Sequence, residues 1–80
     1  MPNSISSRTK SIVSATLGVP LATLTDESGP ATISNWDSLH HLHLIVALEA
    51  EFGVSFDPEE ALELTSVAMF VAAIQQLGGK

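Results

Sequence analysis

Apolar residues recur at helical spacing in four stretches of the chain, and this pattern predicts an all-α fold. The stretches give predicted helices at residues 4–17, 38–52, 57–64 and 66–77. The alternation typical of a strand occurs only at Val54-Ser55-Phe56, which is too short to count. We therefore expect a four-helix bundle, with three longer helices and one short helix, in a single domain spanning residues 1–80.

Each predicted helix has recognisable end signals. Asn3 or Ser4 is expected to cap the first helix, and Gly18 follows it as a stop. The third helix begins at Asp57-Pro58-Glu59-Glu60, and Thr65 or Ser66 is expected to cap the fourth. Each of these helices has an apolar side: Ile5, Ile12, Val13 and Leu17, completed by Thr9, in the first, Ala61, Leu62 and Leu64 in the third, and Val67, Phe70, Val71 and Ile74 in the fourth. Met69 and Phe70 are expected to lie in the core or near it.

The second predicted helix, residues 38–52, has two apolar sides. At about 100° per residue, one side carries His41, Leu44, Ile45, Leu48 and Phe52, and the side that includes Ser38 carries Leu39, Leu42, Val46 and Glu49. Burying both sides is difficult in so small a domain. We interpret the first side as core and the second as a docking face, although both could pack internally.

A long loop, residues 19–37, separates the first two helices and contains Pro20, Gly29 and Pro30. A loop of this length is usually functional, disordered or held by its own apolar residues. The residues expected to hold it are Val19, Leu21, Leu24 and Ile33. Trp36, just before the second helix, is expected to be structural and to pack against the loop, although it could instead form part of the docking surface.

Composition and charge restrict the function. Nine acidic and three basic residues give a net charge of −6, which disfavours nucleic acid and suits partners with basic surfaces. The chain has no cysteine, so any thiol chemistry must come from an attached group. No apolar run reaches membrane-spanning length, and residues 1–4 lack the features of a signal peptide. We expect a cytoplasmic monomer.

Ser38 lies at the start of the second helix, directly after Asp37, where the helix dipole favours a phosphate group. The motif Asp37-Ser38-Leu39, followed by Leu48-Glu49-Ala50-Glu51-Phe52 at the helix end, resembles that of acyl carrier proteins. The resemblance extends from Ile5 to Ile74. It implies that Ser38 carries a covalent 4′-phosphopantetheine arm and that Asp37 helps a phosphopantetheinyl transferase to hold its magnesium ion. On the residues alone, Ser38 could instead be only a helix cap.

The partners implied by the resemblance are the transferase and acyl-transferring or acyl-activating enzymes with basic docking surfaces. The docking residues would be Leu39, Leu42, Val46 and Glu49, and the chain itself would not be an enzyme. His40 and His43 stand where relatives in fatty-acid synthesis usually have acids, which points to a specialised pathway. No metal site is predicted, because the histidines have no third ligand at an obvious spacing. His40 and His43 are expected to be solvated and His41 to be packed against a backbone partner.

The sequence therefore predicts a stand-alone acyl carrier for fatty-acid-like, polyketide or other specialised biosynthesis. One alternative is an aminoacyl, D-alanyl or peptidyl carrier, although Asn35-Trp36-Asp37 stands where peptidyl carriers usually have Gly-Gly-x. Another is an unmodified helical interaction module. An enzyme is disfavoured because the chain offers no credible catalytic triad.

Overall fold

The computed structural model describes residues 4–79, and they form an all-α bundle. The helices are α1 (Ile5–Leu17), α2 (Ser38–Phe52), α3 (Pro58–Leu62) and α4 (Val67–Gln76), and a short 3₁₀ turn, Leu21–Thr23, lies in the long loop between α1 and α2. The predicted fold class is confirmed. None of these helices has the length and the apolar content needed to cross a membrane.

The helix ends follow from local chemistry. The hydroxyl of Ser4 accepts a hydrogen bond from the backbone N–H of Ser7 and caps α1, whereas Asn3 lies outside the described residues. Gly18 ends α1 with a φ of +68°, a left-handed conformation that costs glycine little. Ser66, and not Thr65, caps α4 by accepting from the N–H of Met69.

The core lies between α1, α2 and α4. The predicted inner side of α2 is buried, and Phe70 of α4 is fully enclosed beside it. The aromatic rings of Trp36, His41 and Phe56 surround Phe70, with centroids between 5.6 and 6.2 Å from its ring. Thr9 is fully buried in α1, and its hydroxyl has no hydrogen-bond partner among the described residues.

The long loop is fastened to both α1 and α4. Leu24 is buried, and Val19 and Ile33 pack against the core, but Leu21 is half exposed and does not hold the loop as predicted. At the other side of the loop, the carbonyls of Asp26 and Ser28 accept hydrogen bonds from the first two N–H groups of α4. An ion pair between Lys10 and Asp26, 3.3 Å long, adds a contact to α1.

Three features of the C-terminal half differ from the sequence-based expectation. The third helix ends at Leu62 and not at residue 64, because the N–H of Glu63 bonds to Glu60 in a tighter turn. Leu62 is 70% exposed, since it is the last helical residue and extends away from the core. Met69 is 41% exposed because it lies one position off the inward stripe of α4.

Candidate functional site

The predicted attachment residue, Ser38, is the first residue of α2 and is exposed. It does not cap the helix. Asp37 is the cap, with an extended backbone (φ −97°, ψ −175°) and an Oδ1 atom that accepts from the N–H of His40 at 2.9 Å. Within residues 4–79 the Ser38 hydroxyl makes no hydrogen bond. It is therefore available for reaction in the folded chain.

Asp37 also holds the side chain of His40. Its Oδ1 atom lies 2.8 Å from Nδ1 of the imidazole, so His40 is partly buried against the cap and not freely solvated as predicted. The backbone N–H of His40, and then its ring, lower the pKa of Asp37 below the ordinary value of 3.8. The carboxylate is thus ionised at neutral pH. His43 is exposed, and its ring centroid lies 6.2 Å from that of His40.

The backbone around Ser38 is open to an anion. An α-helix leaves its first N–H groups without partners inside the helix. Asp37 accepts from His40, and no described residue accepts from the N–H groups of Ser38 and Leu39. A phosphate on the Ser38 oxygen would lie close to both donors and to the positive end of the helix dipole.

Trp36 and His41 form a buried hydrogen-bonded pair beside Ser38. The indole Nε1 donates to Nδ1 of His41 at 2.9 Å, and Nε2 of His41 lies 2.7 Å from the carbonyl oxygen of Ala61. Because the indole can only donate, Nδ1 of His41 is the acceptor and Nε2 carries the proton that it donates to Ala61. The packed histidine with a backbone partner was predicted. The bond to Trp36 was not, because nothing in the sequence pattern indicates it.

A cleft of about 420 Å³ opens next to Ser38. Its volume lies within the range of roughly 300–1,000 Å³ that is typical of small-molecule sites. It is predominantly apolar, and its lining combines the start of α2 with residues from the loop, α3 and the segment before α4: Pro30, Trp36, Asp37, Ser38, His41, Leu42, Leu62 and Thr65. The exposed Leu62, which the sequence pattern places on the apolar side of the third helix, belongs to this cleft.

The second apolar side of α2 lies on the surface. Leu39, Leu42 and Val46 are between 54% and 65% exposed and form a stripe that begins beside Ser38. Glu49, the acidic residue predicted to accompany them, is partly buried, and its Oε2 atom accepts from the N–H of Phe56 at 2.8 Å. Its carboxylate thus fastens the segment after α2.

Acidic side chains outnumber basic ones on the surface, and the basic side chains of Arg8 and Lys10 are already paired. Arg8 pairs with Glu51 at 2.8 Å and lies over the ring of Phe52, and Lys10 pairs with Asp26. Most of the nine acidic residues have no basic partner in the part of the chain that the structure describes. That part also contains no cluster of three or more His, Asp or Glu residues able to hold a metal ion.

Comparison with known proteins identifies the family. Residues 7–74 match the family model described as "phosphopantetheine attachment site". The fold is similar to the solution structure of a holo acyl carrier protein from Geobacter metallireducens, with a TM-score of 0.81 and 27% sequence identity over 96% of this chain and 86% of that one. Proteins of this kind are carriers and not catalysts, and their cofactor is a covalently attached 4′-phosphopantetheine group. The chain therefore belongs to the phosphopantetheine-attachment family of carrier proteins and has the fold of an acyl carrier protein.

Proposed function

We infer that Ser38 carries the 4′-phosphopantetheine arm and that the chain carries acyl intermediates. The observation that carries this proposal is the setting of the Ser38 hydroxyl. It is exposed, has no hydrogen-bond partner among the described residues, and lies beside two open backbone N–H groups. These features suit an oxygen that must reach a transferase and then bear a phosphodiester.

Each neighbour of Ser38 has a distinct part in this proposal. Asp37 fixes the start of α2 and keeps a carboxylate beside the hydroxyl, where it would help the transferase to hold magnesium, a cation that prefers oxygen ligands. The N–H groups of Ser38 and Leu39 would stabilise the phosphodiester. When attached, the arm supplies the thiol that this cysteine-free chain lacks, and that thiol holds the acyl group as a thioester.

The cleft beside Ser38 favours an acyl cargo over an aminoacyl or peptidyl one. Its walls at Pro30, Leu42 and Leu62 are apolar and would remove the acyl chain from water. Asp37, the acidic residue of the lining, lies beside Ser38 and is bonded to His40. A charged amino group placed along Pro30, Leu42 and Leu62 would lose its hydration without gaining a partner. The proposed cargo is therefore a fatty-acid-like or polyketide intermediate.

The exposed stripe of Leu39, Leu42 and Val46 is the proposed docking surface for partner enzymes. Glu49 and the surrounding acidic surface would complement basic patches on those enzymes. His40 and His43 lie at this end of α2, so it presents less negative charge than a run of acids would. The proposed setting is a specialised cytoplasmic pathway with its own enzymes.

The test is modification of the purified chain by coenzyme A, magnesium and a broad-specificity phosphopantetheinyl transferase. Intact mass should rise by one phosphopantetheine group in the wild type and should not rise in Ser38→Ala. Ser34→Ala is the matched control, because Ser34 is another exposed serine just before α2, and it should be modified like the wild type. A mass increase that persists in Ser38→Ala would refute the assignment, as would an unmodified wild type under conditions where a known carrier is modified.

A further inference from the structure

We propose that Trp36 and His41 form a wall that determines which acyl groups the cleft can shelter, restricting it to chains that are short and apolar at their far end. This inference rests on the proposed function, since it requires an acyl arm on Ser38. It assigns a specificity-determining role to two residues that lie outside the attachment motif.

Trp36 and His41 are the buried residues of the cleft's lining, whereas its other residues are exposed, so these two side chains form its floor. Trp36 is only 3% exposed, and its ring stacks on Phe70 with centroids 6.1 Å apart and an angle of 23° between the planes. His41 fills the space next to it, with its ring centroid 5.6 Å from that of Phe70. Because Phe70 is completely buried, an acyl chain that enters past Leu42 and Leu62 meets this aromatic stack before it reaches the core.

The wall has no unused polar atom. The indole N–H is donated to Nδ1 of His41, and Nε2 of His41 is occupied by the carbonyl of Ala61. The hydroxyl of Thr65, at another edge of the cleft, donates to the sulfur of Met69. Against the rings of Trp36 and His41, a hydroxyl or amino group at the far end of an acyl chain would be buried without a partner, at a desolvation cost.

Two consequences follow for the cargo. Lengthening a straight acyl chain should increase its protection until its end reaches Trp36, and further carbons must then remain outside the cleft. Adding a terminal polar group at a length that reaches the wall should reduce the protection. Trp36 therefore limits length, and the pair of Trp36 with His41 selects against polarity.

The experiment loads the full chain with straight acyl groups from butanoyl to dodecanoyl, transferred as acyl-phosphopantetheine from the corresponding acyl coenzyme A. Intact mass verifies loading. Two quantities are then measured: the indole N–H resonance of Trp36, which is unambiguous because it is the only tryptophan, and the rate of thioester cleavage by hydroxylamine. In the wild type the resonance should shift progressively with chain length and then stop changing, and cleavage should slow several-fold up to the same length.

Trp36→Leu should move that limit to longer chains, because the smaller side chain opens space toward Phe70. Leu77→Ala is the control, since Leu77 is an exposed apolar residue at the end of α4, away from the cleft, and it should retain the wild-type limit. In the wild type, a terminal hydroxyl on an octanoyl chain should reverse most of the slowing of thioester cleavage that the unsubstituted octanoyl chain shows.

The outcomes separate this inference from the proposed function. Absence of loading would overturn the assignment of Ser38 and this inference with it. Successful loading with an indole resonance that no chain shifts, or with the same length limit in Trp36→Leu, would overturn the wall alone. If Trp36→Leu fails to fold, the wild-type resonance series decides, because it requires no substitution.

Discussion

The N-termini of α2 and α4 differ in how their first backbone N–H groups are used. In α4, Val67 donates to the carbonyl of Ser28 and Ala68 to that of Asp26, both at 2.9 Å, and Met69 donates to the hydroxyl of Ser66. In α2 only His40 has an acceptor, the carboxylate of its cap. The N-terminus of α4 is therefore closed by protein groups, whereas the N-terminus of α2 retains two N–H donors for another group.

The serines at the two helix starts differ in the same way. Ser66 is the cap of α4, partly buried, with its hydroxyl committed to Met69. Ser38 is the first residue inside α2, exposed, and its hydroxyl has no partner in residues 4–79. The side-chain oxygen of a capping residue accepts a hydrogen bond from its own helix, whereas that of the next residue does not need to do so. Moving the cap to Asp37 leaves the serine free.

One loop produces both situations. Its middle, around Asp26 and Ser28, fills the end of α4, and its last residues, Trp36 and Asp37, bury a ring and cap α2 without covering Ser38. The loop is therefore part of the site even though it supplies no reactive group. Long loops in compact domains often have such a function.

Gly29→Ala should produce the largest effect on stability, because it separates the loop from α4. A Cβ atom at Gly29 would lie 2.0 Å from the carbonyl oxygen of Thr65, which is backbone and cannot rotate away. We expect a loss of about 3 kcal/mol in the free energy of unfolding, the upper end of what overpacking usually costs. Urea denaturation measures it, and amide exchange should show Val67 and Ala68 losing protection.

Gly18→Ala provides the comparison for that measurement. A Cβ atom at Gly18 meets nothing within 4 Å, but its φ of +68° is unfavourable for alanine. The expected cost is about 1–2 kcal/mol, arising from the backbone alone, with Val67 and Ala68 protected as before. Equal costs in the two variants would mean that the loop yields at Gly29 and does not close α4 tightly.

The two serines should respond oppositely to alanine substitution. Ser66→Ala removes a cap and should cost about 0.5–2 kcal/mol, while leaving phosphopantetheine transfer intact. Ser38→Ala removes no bond within the chain and should change stability by less than about 0.5 kcal/mol, while abolishing transfer. Denaturation and intact mass on both variants measure the two effects. Loss of stability in Ser38→Ala comparable to that in Ser66→Ala would show that its hydroxyl has a structural partner after all.

The sequence could predict the features that depend on local pattern. The four helices and the division of α2 into an inner side with Leu44, Leu48 and Phe52 and an outer side with Leu39, Leu42 and Val46 follow from periodicity, and the burial values agree. The end of α1 at Gly18 and the start of α3 after Asp57 follow from the capping preferences of these residues. These signals act within a few residues of one another.

The features that the sequence could not predict depend on contacts between distant segments. The pairing of Trp36 with His41 requires the loop to fold back over α2, and the closure of α4 requires residues 26–29 to reach Val67. The cleft requires Leu62 to be exposed, although its type and spacing favoured burial. No local rule distinguishes such an apolar residue from a core one.

The smallest predicted effect is a loss of local stability at low pH, which should occur at the N-terminus of α2 and not at that of α4. The cap of α2 is a carboxylate, whereas α4 is closed by a hydroxyl and two carbonyls, which do not titrate. The pKa of Asp37 is lowered in the folded chain, chiefly by the N–H and then the ring of His40. At a pH near the ordinary value of 3.8, the unfolded chain therefore binds more protons at Asp37 than the folded chain does. The contribution of Asp37 to stability is present above pH 3.8 and is lost as the pH falls through the lower pKa of the folded chain.

Amide exchange should show the first turn of α2, read at His40, losing protection in that acid range before Met69 of α4 does. Asp37→Asn keeps a good cap without a titrating group, and in this variant the protection of His40 should no longer depend on pH in that range. If His40 and Met69 lose protection together in both proteins, the transition is global acid unfolding and the difference between the two ends is not electrostatic.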